Sequence, residues 1–229
     1  EIINSIFLEN NYLYGDKFIS DLSIGIIISI IVSLVIFGGI KRIGMVASRV
    51  APLMVILYII VVFYILTINY YKILPTINLI FIDAFSANSV LGGAIGSIIL
   101  IGARRASFSN EAGIGTAPII HASSKTDNPL DEGMVSMIGP FIDTIIVCTL
   151  TALCILVTGS WQSENYAGIQ VVSKAFNDSI PIIGPYLLLV CTLSFAITTL
   201  FSLSFFGERC LAYLIGEKFN FIYRYIYIV

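Results

Sequence analysis

Five stretches of this chain run for about 20 residues or more with almost no charge. They are Leu22–Ile40, Val50–Tyr71, Ala84–Ala103, Met134–Ser163 and Ser179–Gly207, and only the fourth is interrupted, by Asp143. A helix needs roughly 20 mostly apolar residues to cross about 30 Å of hydrocarbon. Membrane barrels require strands of about ten residues that alternate in polarity, and these solid runs do not alternate. The windows therefore predict an all-α polytopic membrane protein with spans at 22–40, 50–71, 84–103, 134–158 and 182–206. A further span starts near residue 219. The chain opens on Glu1 rather than Met and stops just after that last run begins, so a fragment of a longer membrane protein is expected.

Composition narrows the function classes. Apolar residues make up 58% of the 229 and charged residues 11%, against roughly 25% charged in soluble domains. The net charge of -2 comes with no basic run and no glycine-rich phosphate loop, which leaves nucleic-acid and nucleotide binding without support. Cys148, Cys154, Cys191 and Cys210 lie in or at the end of apolar runs without metal-site spacing and read as packing thiols. One histidine and no nucleophile–base–acid set argue against an enzyme, and no cofactor is expected.

Positive charge orients the spans, because short cytoplasmic loops retain Lys and Arg. Lys41, Arg42, Arg49, Arg104, Arg105, Lys125, Arg209, Lys218 and Arg224 fall on one side, leaving Lys17, Lys72 and Lys174 on the other. The first side is read as cytoplasmic, carrying 41–49, a connector at 104–133 and 207–218. The loop at 160–182 is then extracellular. It holds a helix-like segment, "YAGIQVVSKAFND", and is long enough to be structured as a lid.

Polar residues inside the spans are the candidates for function. The third window, "AFSANSVLGGAIGSIILIGA", carries Gly92, Gly93, Gly96 and Gly102 and reads as a discontinuous helix near 84–103. Transporters use such breaks to present backbone to substrate; the alternative is close helix packing on small residues. Asp143 is the only acid inside a predicted span, where a carboxylate is costly. It suits either a cation or proton site or a hydrogen bond that positions an adjacent polar helix. Thr198 and Thr199 offer adjacent hydroxyls of the kind a small hard cation prefers. They also suit simple bonding back to their own helix. His121 either titrates near neutral pH as a gate or is merely hydrogen-bonded.

Read together, "GARRASFSNEAGIGTAPIIHASS" and "PLDEGMVSMIGPFIDTIIVCTLTALCILVTG" resemble the alanine/glycine:cation symporter family. The resemblance rests on a G-x-[KR]-R-x-x-F-S-N-E-A-G-x-G-x-A-P motif and a downstream F-x-D-T-x-x-x-C-T, and it extends from about Ile36 to Phe219. It implies a fragment of a LeuT-type inverted-repeat (5+5) bundle. It further implies symport of alanine or glycine into the cell with sodium as the coupling ion, or in some cases protons, across a prokaryotic plasma membrane.

In that register the third window is the broken sixth helix, and Ser89, Gly92, Gly93 and Gly96 line the substrate. Thr198 and Thr199 fall where the eighth helix gives hydroxyls to sodium, and Asp143 falls where the seventh approaches a second cation. The family usually reads F-S-T-I-L-G-W-S-Y-Y-G-E at the eighth helix. Here "ITTLFSLSFFGE" puts Leu203 in place of the common Trp, which implies a larger substrate pocket. The reading from another class is a membrane scaffold that does not transport, in which the glycines only pack helices. Oligomeric state is left open.

Overall fold

The computed structural model describes residues 17–84, 94–111, 114–163 and 166–228. Every regular element among them is helical. Many of these helices are rich in Ile and Val, whose branched side chains weaken helices in water. In lipid the backbone has no water to bond, so a helix that satisfies its own N–H and C=O groups prevails over local propensity.

The helices are α1 (Lys17–Ile36), α2 (Gly39–Ile68), α3 (Tyr70–Ala84), α4 (Ala94–Ser109), α5 (Ala117–His121) and α6 (Pro129–Pro140). A π-helical segment, Phe141–Cys148, joins α6 to α7 (Thr149–Thr158). Then come α8 (Ile169–Ser179), α9 (Ile183–Ile215) and α10 (Asn220–Ile228). Three of these stretches are long and apolar enough to cross a membrane: Gly39–Ile68, Pro129–Thr158 and Ile183–Ile215. At about 1.5 Å per residue the 33 residues of α9 reach about 50 Å, longer than the hydrocarbon itself.

Several charged segments between the predicted spans are helical. Residues 41–49 belong to α2, residues 72–83 to α3, and Glu208 and Arg209 lie inside α9. Charge marks where a helix meets water, and Lys, Arg and Glu are themselves good helix formers, so the helices continue past it. The segment at 160–182 contains, among its described residues, the helix α8 after a short 3-10 turn at Ser160–Gln162.

The chain forms two compact units. Among the described residues, one comprises those within 17–60 and 180–228 and the other those within 61–179. In the first, α1 and α10 pack against α9. Val32 and Ile36 of α1, Ile43 of α2 and Phe201 of α9 form its buried cluster. Ile26, Ile30 and Leu34 run down another side of α1 and are exposed. A helix apolar on all sides packs with one stripe and offers the other to lipid. Gly39, at φ +71°, makes the turn between α1 and α2, a left-handed conformation that costs other residues.

The return of α10 along α9 is held by polar contacts. Arg224 donates from Nε to Glu208 Oε2 at 2.9 Å and from Nη2 to Oε1 at 2.6 Å. Tyr227 Oη donates to the Leu200 carbonyl at 2.9 Å, and Ser29 Oγ to that of Ile228 at 3.2 Å.

In the second unit α7 packs against α3 and α8. Cys154 and Val157 of α7 and Val172, Ala175 and Phe176 of α8 are buried. The α8 set recurs at three and four residues, the stripe of a helix with one apolar face. Cys191 is buried too, whereas Cys148 and Cys210 are exposed, and all four are free thiols.

Candidate functional site

A polar constellation in the second unit sits where α4 ends. Ser109 is the last residue of that helix, and Glu111 follows two residues later with φ +57°. A helix commonly ends in this left-handed conformation, but without glycine it costs about 1 to 2 kcal/mol. Thr116 Oγ1 donates to Glu111 Oε2 at 2.8 Å and so ties the turn closed.

The two residues before Glu111 reach another element. Ser109 Oγ donates to Asp143 Oδ2 at 2.5 Å, and Asn110 Nδ2 donates to Thr144 Oγ1 at 2.9 Å. Asp143 and Thr144 both lie in the π-helical segment, which begins directly after Pro140. Proline lacks an N–H and its ring presses on the carbonyl four residues earlier, so regular α-helical bonding is lost at that point. The acceptor side of both bonds thus comes from a stretch of irregular helix, a feature often found at functional sites.

A second polar group lies on the connector. An open cleft of about 530 Å³ is lined by Pro118, His121, Ser124, Asp127, Glu132 and Ser136 among others. His121 Nδ1 lies 2.6 Å from Glu132 Oε1. Glu132 is on the first turn of α6, ahead of the apolar run that starts at Met134, and Asn128 Oδ1 caps that turn by accepting from the Leu130 N–H at 3.1 Å. The hydrogen bond from His121 holds the Glu132 carboxyl below its usual range against the opposing effect of desolvation, with Ser124 helping. Among the described residues no group of three or more His, Cys, Asp or Glu is arranged to hold a metal ion.

The expected ligand residues fall in different places. Ser89, Gly92 and Gly93 lie outside the described residues, and Gly96 belongs to α4. Thr198, Thr199 and Leu203 are all on α9 in the first unit. Thr198 Oγ1 donates to the carbonyls of Ser194 at 3.0 Å and Phe195 at 2.9 Å, and Thr199 Oγ1 to that of Phe195 at 2.9 Å. Leu203 is half exposed. Asp143 belongs to the Ser109 group in the second unit, and His121 is engaged with Glu132.

Some of this had no sequence signal. Nothing in the apolar run foretold the π-helical segment, although Pro140 was a cue to broken helical bonding there. The constant separation of 34 residues between Ser109 and Asp143 and between Asn110 and Thr144 becomes meaningful only once both helices are in place.

Residues 4–229 match the family described as the sodium:alanine symporter family. The chain is 40% identical over 209 residues to an uncharacterized transporter of Haemophilus influenzae, covering 89% of this chain and 46% of that protein. It is 36% identical over 208 residues to the sodium/alanine symporter AgcS of Methanococcus maripaludis, covering 90% and 46%. It is 32% identical over 208 residues to a sodium/proton-dependent alanine carrier protein of a Bacillus species, covering 85% and 47%. The chain spans about half the length of these relatives. Its long apolar helices and the transporter names of its prokaryotic relatives mark a multi-pass integral protein of the plasma membrane. With the family pattern matched along nearly all of its length, the chain belongs to the sodium:alanine symporter family.

Proposed function

We propose that the full-length protein is a secondary transporter that carries a small neutral amino acid, alanine or glycine, into the cell together with sodium. The observation that carries this reading is the family match over residues 4–229. In the LeuT-type register, α1 and α2 supply the fourth and fifth core helices and the region around α4 the broken sixth. The π-containing helix is the seventh and α9 the eighth. Ser89, Gly92, Gly93 and Gly96 then line the substrate, and residues 41–49, 104–133 and 207–218 face the cytoplasm.

Thr198 and Thr199 are the proposed cation ligands on this chain. Each hydroxyl donates its hydrogen to its own helix, which leaves the oxygen lone pairs to face a hard cation. Leu203 lies one helical turn beyond Thr199 and widens the pocket relative to the tryptophan common in the family. A protein similar to this chain is named a sodium/proton-dependent carrier, so coupling to protons is the second reading.

The test is uptake of labelled alanine or glycine by the full-length protein in vesicles, with sodium and proton gradients imposed separately. Uptake that follows only the sodium gradient is expected. Uptake driven by the proton gradient alone would transfer the coupling to protons, and no uptake of either amino acid would overturn the substrate class.

A further inference from the structure

We propose that Ser109, Asn110, Asp143 and Thr144 form a two-bond latch that positions the inner end of the broken helix against the next span and thereby governs transport turnover. The inference rests on the transport reading above. It assigns Asp143 to the neighbouring helix through Ser109, in place of a direct role on the transported cation.

Three observations carry it. First, two adjacent donors meet two adjacent acceptors: Ser109 on Asp143 at 2.5 Å and Asn110 on Thr144 at 2.9 Å. In an α-helix successive side chains point about 100° apart, which hinders neighbours from reaching one target together. A π-helical segment bonds to the fifth residue along and so turns less than about 90° per residue. The irregular stretch after Pro140 thus brings Asp143 and Thr144 closer to a common direction.

Second, the first bond runs from a hydroxyl to a carboxylate at the short distance of a charge-assisted bond, the stronger kind. Third, the donors sit at a point of backbone strain. Glu111 holds a positive φ immediately after them and is tied back by Thr116, so the whole Ser-Asn-Glu sequence is engaged by its side chains. A helix end clamped in this way moves with the segment it is clamped to. Together, one charge-assisted and one neutral hydrogen bond correspond to a factor of roughly ten to a hundred in an equilibrium. That is the scale on which conformational populations shift.

The experiment uses the full-length protein in lipid nanodiscs and vesicles, with Ser109→Ala, Asp143→Asn, the double variant and Ser109→Thr. Hydrogen exchange of the amides at 106–111 needs no substrate and reads the latch directly. Labelled alanine uptake gives turnover and KM.

Ser109→Ala is expected to speed that exchange about tenfold and to lower turnover about tenfold, with KM within about twofold. Asp143→Asn keeps an acceptor and loses only its charge, so its effect is smaller than that of Ser109→Ala, and the double variant matches Ser109→Ala because both changes act on one bond. Ser109→Thr keeps the hydroxyl and keeps wild-type exchange and turnover. Unchanged exchange in Ser109→Ala would overturn the latch. Faster exchange with normal turnover would reduce it to local structure, and a sodium KM raised by Asp143→Asn with normal exchange would return Asp143 to the cation. If the wild type takes up no alanine, the transport reading fails while the exchange measurement still decides whether the bonds hold the helix end.

Discussion

Gly207 offers a test in which the sign of one substitution reverses with its background. A methyl group on Gly207 would lie 1.8 Å from Tyr223 Oη and 2.4 Å from Cζ. The tyrosine has little freedom to withdraw. Its neighbour Arg224 is paired with Glu208 through two bonds, and Tyr227, one turn further on, is bonded to Leu200. Overpacking of this kind costs about 1 to 3 kcal/mol. Against it stands the gain from replacing glycine by alanine inside a helix, about 0.5 to 1 kcal/mol.

Gly207→Ala alone therefore destabilises by about 1 kcal/mol, whereas on a Tyr223→Ala background, with the ring gone, the same change stabilises by about 0.5 kcal/mol. In a protein of its relatives' length, about twice this chain, the roughly 2 to 4 °C per kcal/mol of a 150 to 250-residue chain falls to about 1 to 2 °C, so the shifts are about 1 to 2 °C down and up to about 1 °C up. Thermal denaturation of the four detergent-purified full-length proteins, scored by loss of the monodisperse species, measures both. If Gly207→Ala lowers Tm equally in the two backgrounds, the close approach of α10 is not what excludes a side chain there.

Four other outcomes follow from the same contacts. Ser204 Oγ is fully buried with no hydrogen-bond partner among the described residues, and the Leu200 carbonyl one turn back accepts from Tyr227, so Ser204→Ala should leave Tm unchanged or raise it by about 1 to 2 °C. Glu132 is held below its usual range, so its contribution is present above the unfolded carboxylate pKa and is lost as pH falls through the folded value. The Tm deficit of Glu132→Gln is accordingly expected at neutral pH and should close in acid; a deficit that persists in acid would mean that ionisation plays no part. Thr199→Val should raise the sodium concentration for half-maximal uptake by about tenfold with little change in Tm, and an unchanged sodium curve would remove it as a ligand. Leu203→Trp should narrow the range of amino acids carried, read by competition with larger neutral amino acids, and indifference would place residue 203 outside the pocket.

The apolar windows predicted helices because lipid leaves the backbone few alternatives, and that constraint acts through composition alone. The limits of the helices were less legible. Charge at 41–49 and at Glu208 and Arg209 reads as loop in a membrane chain, yet the helices carry it onward. The run Ser109, Asn110 and Glu111 at the end of α4 was legible as part of the family motif. Its partners were not, since a hydrogen bond between residues 34 apart leaves no periodic trace. Asp143 illustrates the difference: an acid in an apolar run announces that it needs a partner, and only the packing of α4 against the π-helical segment names it.

The threonines of α9 show why a hydrogen bond to the same helix does not by itself argue against ligand binding. Thr192, Ser194, Thr198, Thr199 and Ser202 all donate to the carbonyl four residues back. Such a bond satisfies the hydroxyl hydrogen in lipid, where an unsatisfied donor costs several kcal/mol. It also fixes the side-chain rotamer and leaves both oxygen lone pairs unused. A cation binds through those lone pairs and repels the hydrogen, so a hydroxyl already donating backwards is preorganised to receive one. Back-bonding is thus a condition that structural and cation-binding threonines share. What separates them is whether further oxygens converge on the same point, and in the register proposed above those are expected from helices of the bundle outside α9.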